Sequence, residues 1–186
     1  MRMEVHVHGS IHIRAGVRQS DIDTALKPWL DYLDLDSTEE ARSLHHEEPG
    51  IVYDGHAQTL EICWTGEVGR SFATRIEPAL QALCPLSEMA AEVEVSYYYE
   101  EDDNEESHVV FVGPTPQAVH EAQRQRMVAD VSALLGRQFG DAEIARVIAV
   151  VNDLFSSDTA RRGPTGGEAA EASDAPGPGV GRRHLH

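Results

Sequence analysis

Histidines stand at alternate positions in the opening segment MRMEVHVHGSIHIR. His6, His8 and His12 share a phase with Glu4, Ser10 and Arg14, while Met3, Val5, Val7, Ile11 and Ile13 hold the other. Such alternation marks a half-buried strand and puts the His6 and His8 side chains on one side, about 6.6 Å apart. Two imidazoles at that spacing can jointly ligate a transition-metal ion. A second alternating stretch, residues 60–68, turns Leu60, Ile62 and Trp64 inward and leaves Glu61, Cys63, Thr65 and Glu67 outward. A third sets Glu92, Glu94, Ser96 and Tyr98 against Val93, Val95, Tyr97 and Tyr99. If these strands are neighbours, three imidazoles, a thiol and several carboxylates share one sheet face. The metal set predicted from this is His6, His8, His12, Glu61 and Cys63, taking Zn²⁺ or another divalent transition metal. The plain alternative is a solvated face on which His and Glu are polar filler, and then no cofactor is expected. A milder consequence is stability or association that responds to pH near the histidine range.

Other stretches offer less. His45-His46-Glu47-Glu48 has adjacent imidazoles, which a helix would point about 100° apart, so it is read as a surface turn. His184 and His186 end a flexible-looking tail. No GxSxG, P-loop, HExxH, GxGxxG or CxxC occurs, so hydrolase, nucleotide and redox readings have no foothold and no catalytic residue is assigned. Gly113-Pro114-Thr115-Pro116 lacks a glycine run and a lysine, and is read as a helix cap.

Charge is distributed very unevenly. The formal net charge is −17, and two short runs carry most of it. Residues 31–48 hold seven carboxylates and one arginine; residues 92–106 hold eight carboxylates and no base. A strong negative field argues against direct binding to nucleic acid or anionic lipid, because each phosphate contact needs a cation. It favours a basic protein surface as partner, with Asp34, Asp36, Glu39 and Glu40 in one run and Glu100, Glu101, Asp102, Asp103, Glu105 and Glu106 in the other. A dense carboxylate array can also imitate nucleic-acid phosphates, whose duplex spacing is about 1.7 Å per charge.

The elements that position these residues follow from periodicity. After the first strand, Ser20 with Asp23 suggests a helix start, and Ile22, Leu26, Trp29, Leu30 and Leu33 fall on one helical face. A hairpin is expected from Ile51–Asp54 and Leu60–Val68, then a helix from Ser71 to Leu83. A fourth strand (93–99), a loop over 100–107 and a fifth strand (108–112) come next. Two C-terminal helices follow, 115–137 and 141–155. Ile22, Leu26, Pro28, Leu30 and Leu33 recur fifty residues later as Phe72, Ile76, Pro78, Leu80 and Leu83. That repeat suggests a duplicated unit, β-α-β-β-α-β. The expected fold is α+β, a ferredoxin-like antiparallel sheet with an added fifth strand and two C-terminal helices.

With 186 residues and 41% hydrophobic content the chain suits one domain, assigned to 1–156. Residues 157–186 are rich in Gly, Pro, Ala and Ser and are expected to be disordered. No apolar run reaches 18 residues, so no membrane span or secretory leader is expected. Two cysteines, Cys63 and Cys84, fit a reduced cytoplasmic protein with free thiols, a disulfide staying open. The C-terminal helices are more apolar than peripheral helices need to be. They either cover the core or pair across a homodimer.

The stretches LEICWTGEVGRSF (60–72) and VVFVGPTPQAVHEAQRQRM (109–127) resemble segments of an uncharacterised family of small acidic proteins from proteobacteria and their phages. The resemblance spans roughly 1–155 and implies no activity or catalytic residue. Taken together, the sequence favours a non-enzymatic acidic interaction protein that binds a basic partner surface, in one form as a nucleic-acid-mimicking decoy of a mobile element. The alternative is a metal- or small-ligand-binding ferredoxin-like module that uses the His/Glu/Cys face.

Overall fold

A computed structural model describes residues 2–99 and 104–162. Strand β1 spans Arg2–His12, followed by helices α1 (Gln19–Ala25) and α2 (Lys27–Leu33) and a 3-10 turn at Thr38–Glu40. The hairpin β2 (Gly50–Asp54) and β3 (Thr59–Gly69) leads into α3 (Ala73–Gln81). Strands β4 (Ala91–Tyr99) and β5 (Asn104–Val112) precede α4 (Pro116–Leu135) and α5 (Asp141–Arg162). The five strands form one antiparallel sheet in the order β2-β3-β1-β4-β5. Its β2-β3-β1-β4 portion is the ferredoxin-like order, so the protein is α+β as the duplicated pattern predicts.

The core lies on one side of this sheet. Val5, Val7, Ile11, Leu60, Ile62, Val93 and Val95 point into it and are almost fully buried, as are Ile22, Leu26, Trp29, Ile76, Leu80 and Leu83 from the helices and the residues that flank them. Trp29 meets Trp64 edge-on at 5.3 Å, and Phe72 stacks on Trp64 at 5.9 Å. Such aromatic pairs contribute about 0.5–1.5 kcal/mol beyond their buried area. The opposite face, with the histidines, is not covered by α1, α2 or α3; among the described residues α4 reaches its β4-β5 end through Arg126 and Glu92.

Four local features differ from expectation, each for a physical reason. The first helix is broken at Leu26 (φ −82°, ψ 3°), and Pro28 sits in the first turn of α2. There its missing N–H costs nothing, whereas within a continuous helix its ring would crowd the preceding turn. Pro78, its counterpart, stays inside α3, so the repeat preserves the buried pattern but not the helix shape. That first helix also begins at Gln19, because the Asp21 carboxylate accepts from the Arg18 N–H at 2.8 Å; Ser20 is not its cap. Strand β5 begins at Asn104, not His108. Glu105, Glu106 and Ser107 pair with Tyr98, Tyr97 and Ser96, so backbone register outweighs the turn-like composition. Helix α5 continues to Arg162, with Ser156 and Ser157 donating back to the Asn152 and Asp153 carbonyls. The first six residues of the segment expected to be disordered are therefore helical, and 163–186 lie outside the described residues. Thr115 caps α4 as predicted, its Oγ1 accepting from the Ala118 N–H at 3.1 Å.

Gly66 lies on the core face of β3, directly under the Trp64 indole, and an added Cβ would run into that ring. Trp64 is wedged between Trp29 and Phe72 and has nowhere to retreat. Gly66→Ala is expected to destabilise the fold by about 1–3 kcal/mol. Urea midpoints together with near-ultraviolet circular dichroism test this; an unchanged midpoint would mean that the indole is not locked.

Candidate metal centre on the open sheet face

Because only one face of the sheet meets helices α1 to α3, the polar phases of β1, β3 and β4 emerge on the other. β1 is central, and its histidines are placed by its two neighbours. His6 lies opposite Thr65 of β3 and Ser96 of β4; His8 lies opposite Cys63 and Glu94. The His6 and His8 rings stack at 6.1 Å with planes 13° apart.

The segment between the 3-10 turn and β2 folds back onto this face. Gly50, at φ +82°, makes the return possible, since a side chain there would meet the Ala41 carbonyl. The segment is fastened to β3 by a set of hydrogen bonds. Trp64 Nε1 donates to the Arg42 carbonyl at 3.1 Å, the Leu44 N–H to the Thr65 carbonyl at 2.8 Å, and the Thr65 N–H to Ser43 Oγ at 2.9 Å. This fastening carries Glu48 to the histidine face. Ser43 Oγ donates to Glu48 Oε2, and Thr65 Oγ1 donates to Glu48 Oε1 at 3.2 Å. His6 Nδ1 shares a 2.8 Å hydrogen bond with Thr65 Oγ1 and lies 3.6 Å from Glu48 Oε1.

One ligand atom each from His6, Glu48 and Cys63 lies within 4.8 Å of the other two, and all three residues are half-buried. Burial pushes the Glu48 carboxyl up. Hydrogen bonds from Ser43 and Thr65, with His6 and His45 close by, more than offset this and hold it below its ordinary range. Burial raises the Cys63 thiol, and the Glu48 charge adds to the effect. An ionised carboxylate thus sits beside a protonated thiol and an imidazole. Nitrogen, oxygen and sulfur in one set suit a borderline ion such as Zn²⁺. A tetrahedral ion with bonds of about 2.0–2.3 Å holds its ligands about 3.3–3.8 Å apart, so closure by about one ångström suffices.

Of the metal residues expected from sequence, His6 and Cys63 come together. His8, exposed, stands next to them across from Cys63 but outside the three-residue group. Glu61 and His12 lie farther along, opposite Ser10 and Thr59, and are exposed. Sequence reasoning missed Glu48, which it counted in an acidic run and in a His45–Glu48 surface turn; no local signal ties it to His6. Asp34, Asp36, Glu39 and Glu40 are exposed around the 3-10 turn, which packs against edge strand β2. Glu105 and Glu106 are exposed on the opposite edge strand and, being adjacent, point to opposite faces. Glu100, Glu101, Asp102 and Asp103 lie outside the described residues. Four inter-strand spacings, about 19 Å, separate the two edges. Cys63 and Cys84 are both free thiols.

Thr65 is buried and its hydroxyl joins His6 to Glu48. Thr65→Val keeps the shape and removes both bonds, at an expected cost of about 1–2 kcal/mol near neutral pH. Glu48 has a depressed folded-state pKa, so its contribution is present above the ordinary carboxylate range and is lost as pH falls through the folded value. The stability gap between wild type and variant should therefore narrow in acid. Denaturant titrations from neutral to acidic pH check this; a gap that is constant with pH would refute the coupling.

No curated protein and no solved structure matches the chain. Residues 3–156, which take in the sheet but for Arg2, the Glu48 segment and most of the C-terminal helices, match a family model, and the chain belongs to that family of unknown function (DUF6806).

Proposed function

We propose that the protein binds a divalent transition-metal ion of the zinc class on its open sheet face, with His6, Glu48 and Cys63 as ligands. The observation that carries this reading is the convergence of these three donors from β1, the segment before β2, and β3. Ser43 and Thr65 hold the carboxylate ionised and oriented, which is the role of outer partners in metal sites. Three protein donors leave a fourth position for water or an exchangeable ligand, unlike a closed structural site. Binding takes the thiolate of Cys63, so a proton leaves as the ion enters. The raised thiol makes uptake strengthen with rising pH.

Cobalt(II) is a convenient probe because a thiolate ligand gives it a near-ultraviolet charge-transfer band. One equivalent is expected to produce that band in wild type and not in Cys63→Ser. Calorimetric titration with Zn²⁺ should show His6→Ala and Glu48→Ala weakened at least about tenfold, and His12→Ala unchanged. Absence of stoichiometric uptake, or a band that survives Cys63→Ser, would refute the site.

Charge supports a second reading, docking on a basic protein surface. Residues 1–120 hold 23 acidic against 7 basic residues, whereas 121–162 hold six of each. A field of that size steers cationic partners from a distance. The placing of Glu39 and Glu40 beside one edge strand and of Glu105 and Glu106 on the other favours this general attraction over a single phosphate-like stripe. The decoy role, and the proteobacterial and phage setting that the resemblance implies, belong to this reading. Retention on polylysine resin should drop steeply between low and high salt and should weaken in Glu39→Gln/Glu40→Gln. Retention indifferent to salt would remove the reading.

A further inference from the structure

We infer that α4 and α5 are the seat of a homodimer, each two-helix hairpin packing against its copy to form a four-helix bundle. Helix α4 bridges to the sheet through β5 and through Arg126, whose Nη1 lies 2.6 Å from Glu92 Oε2; α5 packs on α4. No residue of α4 is buried, and none of residues 141–158 of α5. Yet α5 is apolar on more than one side. Ile144, Ile148, Val151 and Phe155 are the half-buried line, and Val147, Val150 and Leu154 form a second stripe with 40%, 57% and 65% exposure. On α4, Met127 and Leu134 are 46% and 72% exposed. A helix that is apolar beyond one stripe is one that is covered on more than one face.

Charge points to a second copy as the cover. The hairpin balances six acidic against six basic residues, while residues 1–120 are strongly negative. Two copies that met through their sheets would bring like charges into contact; two that meet through the hairpins join at a neutral face and keep the acidic bodies apart. A basic partner is drawn to the acidic body, and an acidic one is repelled by it. A second copy fits a neutral apolar face mounted on an acidic molecule. The dimensions agree: α4 and α5 are about 30 Å and 33 Å long. A face about 30 Å by 20 Å gives about 1,200 Å² in total for the pair, the lower bound of standard stable interfaces. An isologous two-fold pairing of antiparallel hairpins is the up-down four-helix arrangement.

Size-exclusion chromatography of the full chain with light scattering decides the matter. The expected mass is about twice the 20.4 kDa chain at micromolar concentration. Val150→Asp should raise the dimer dissociation constant at least about a hundredfold and leave the far-ultraviolet spectrum unchanged. If that variant unfolds, Leu154→Gln serves instead, with an expected weakening of about tenfold. A wild type that stays monomeric at about 100 µM, whether because residues 163–186 or another segment cover the hairpin, would overturn the inference. So would a variant dimer as tight as wild type. Metal uptake is read separately and does not depend on either outcome.

Discussion

Strand β1 hydrogen-bonds along its length to β3 and along half of it to β4, so every other strand is placed through it. Its strict alternation forces a choice that the rest of the protein obeys. The Met3, Val5, Val7, Ile11 phase must be buried, so α1, α2 and α3 gather on that side and the tryptophan cluster closes over it. The other phase is then left uncovered by α1, α2 and α3. Histidines occupy this exposed phase, and a one-residue slip of β1 would bury all of them at once. The candidate centre is a by-product of that constraint plus one further device, the segment before β2 that returns to the sheet.

Much of the fold is legible because it is local. Alternation in residues 3–13, the doubled pattern of Ile22–Leu33 and Phe72–Leu83, and the Thr115-Pro116 helix start each express their physics within a dozen residues. The pairing of β1 with β3 and β4 follows once the duplication is accepted. From there the shared face of His6, Cys63 and Glu94 can be read without coordinates.

The features that escape the sequence are non-local. Glu48 is held by Thr65, 17 positions away, and Thr65 in turn by His6, 59 positions away. No spacing rule encodes that meeting; it depends on the return of the chain at Gly50. The start of β5 is hidden for a related reason. Glu105 and Glu106 look like loop by composition, yet their backbone groups continue the ladder with β4. Pro28 and Pro78 match in sequence and differ in effect, because helix breaking depends on the surrounding residues and their packing as well as on the proline itself. The acidic residues are visible as charge and silent about place: Glu39 and Glu40 lie beside edge strand β2, Glu105 and Glu106 on edge strand β5, and Glu48 beside His6.

The lengths of β2 and β3 carry one more consequence. β2 pairs with β3 only from Thr59 to Cys63, so from Trp64 onward the outer side of β3 has no strand beside it. An unpaired edge of this kind invites another chain to add itself as a strand. Here the vacancy is filled piecemeal. Ser43 Oγ takes the Thr65 N–H, the Leu44 N–H takes the Thr65 carbonyl, and Tyr32 Oη takes the Gly69 N–H at 2.7 Å. The segment that brings Glu48 to His6 is therefore also a cover for an exposed sheet margin. Loosening it releases the carboxylate and bares backbone groups in the same movement, so resistance to strand-to-strand aggregation and the integrity of the histidine face rest on the same few hydrogen bonds.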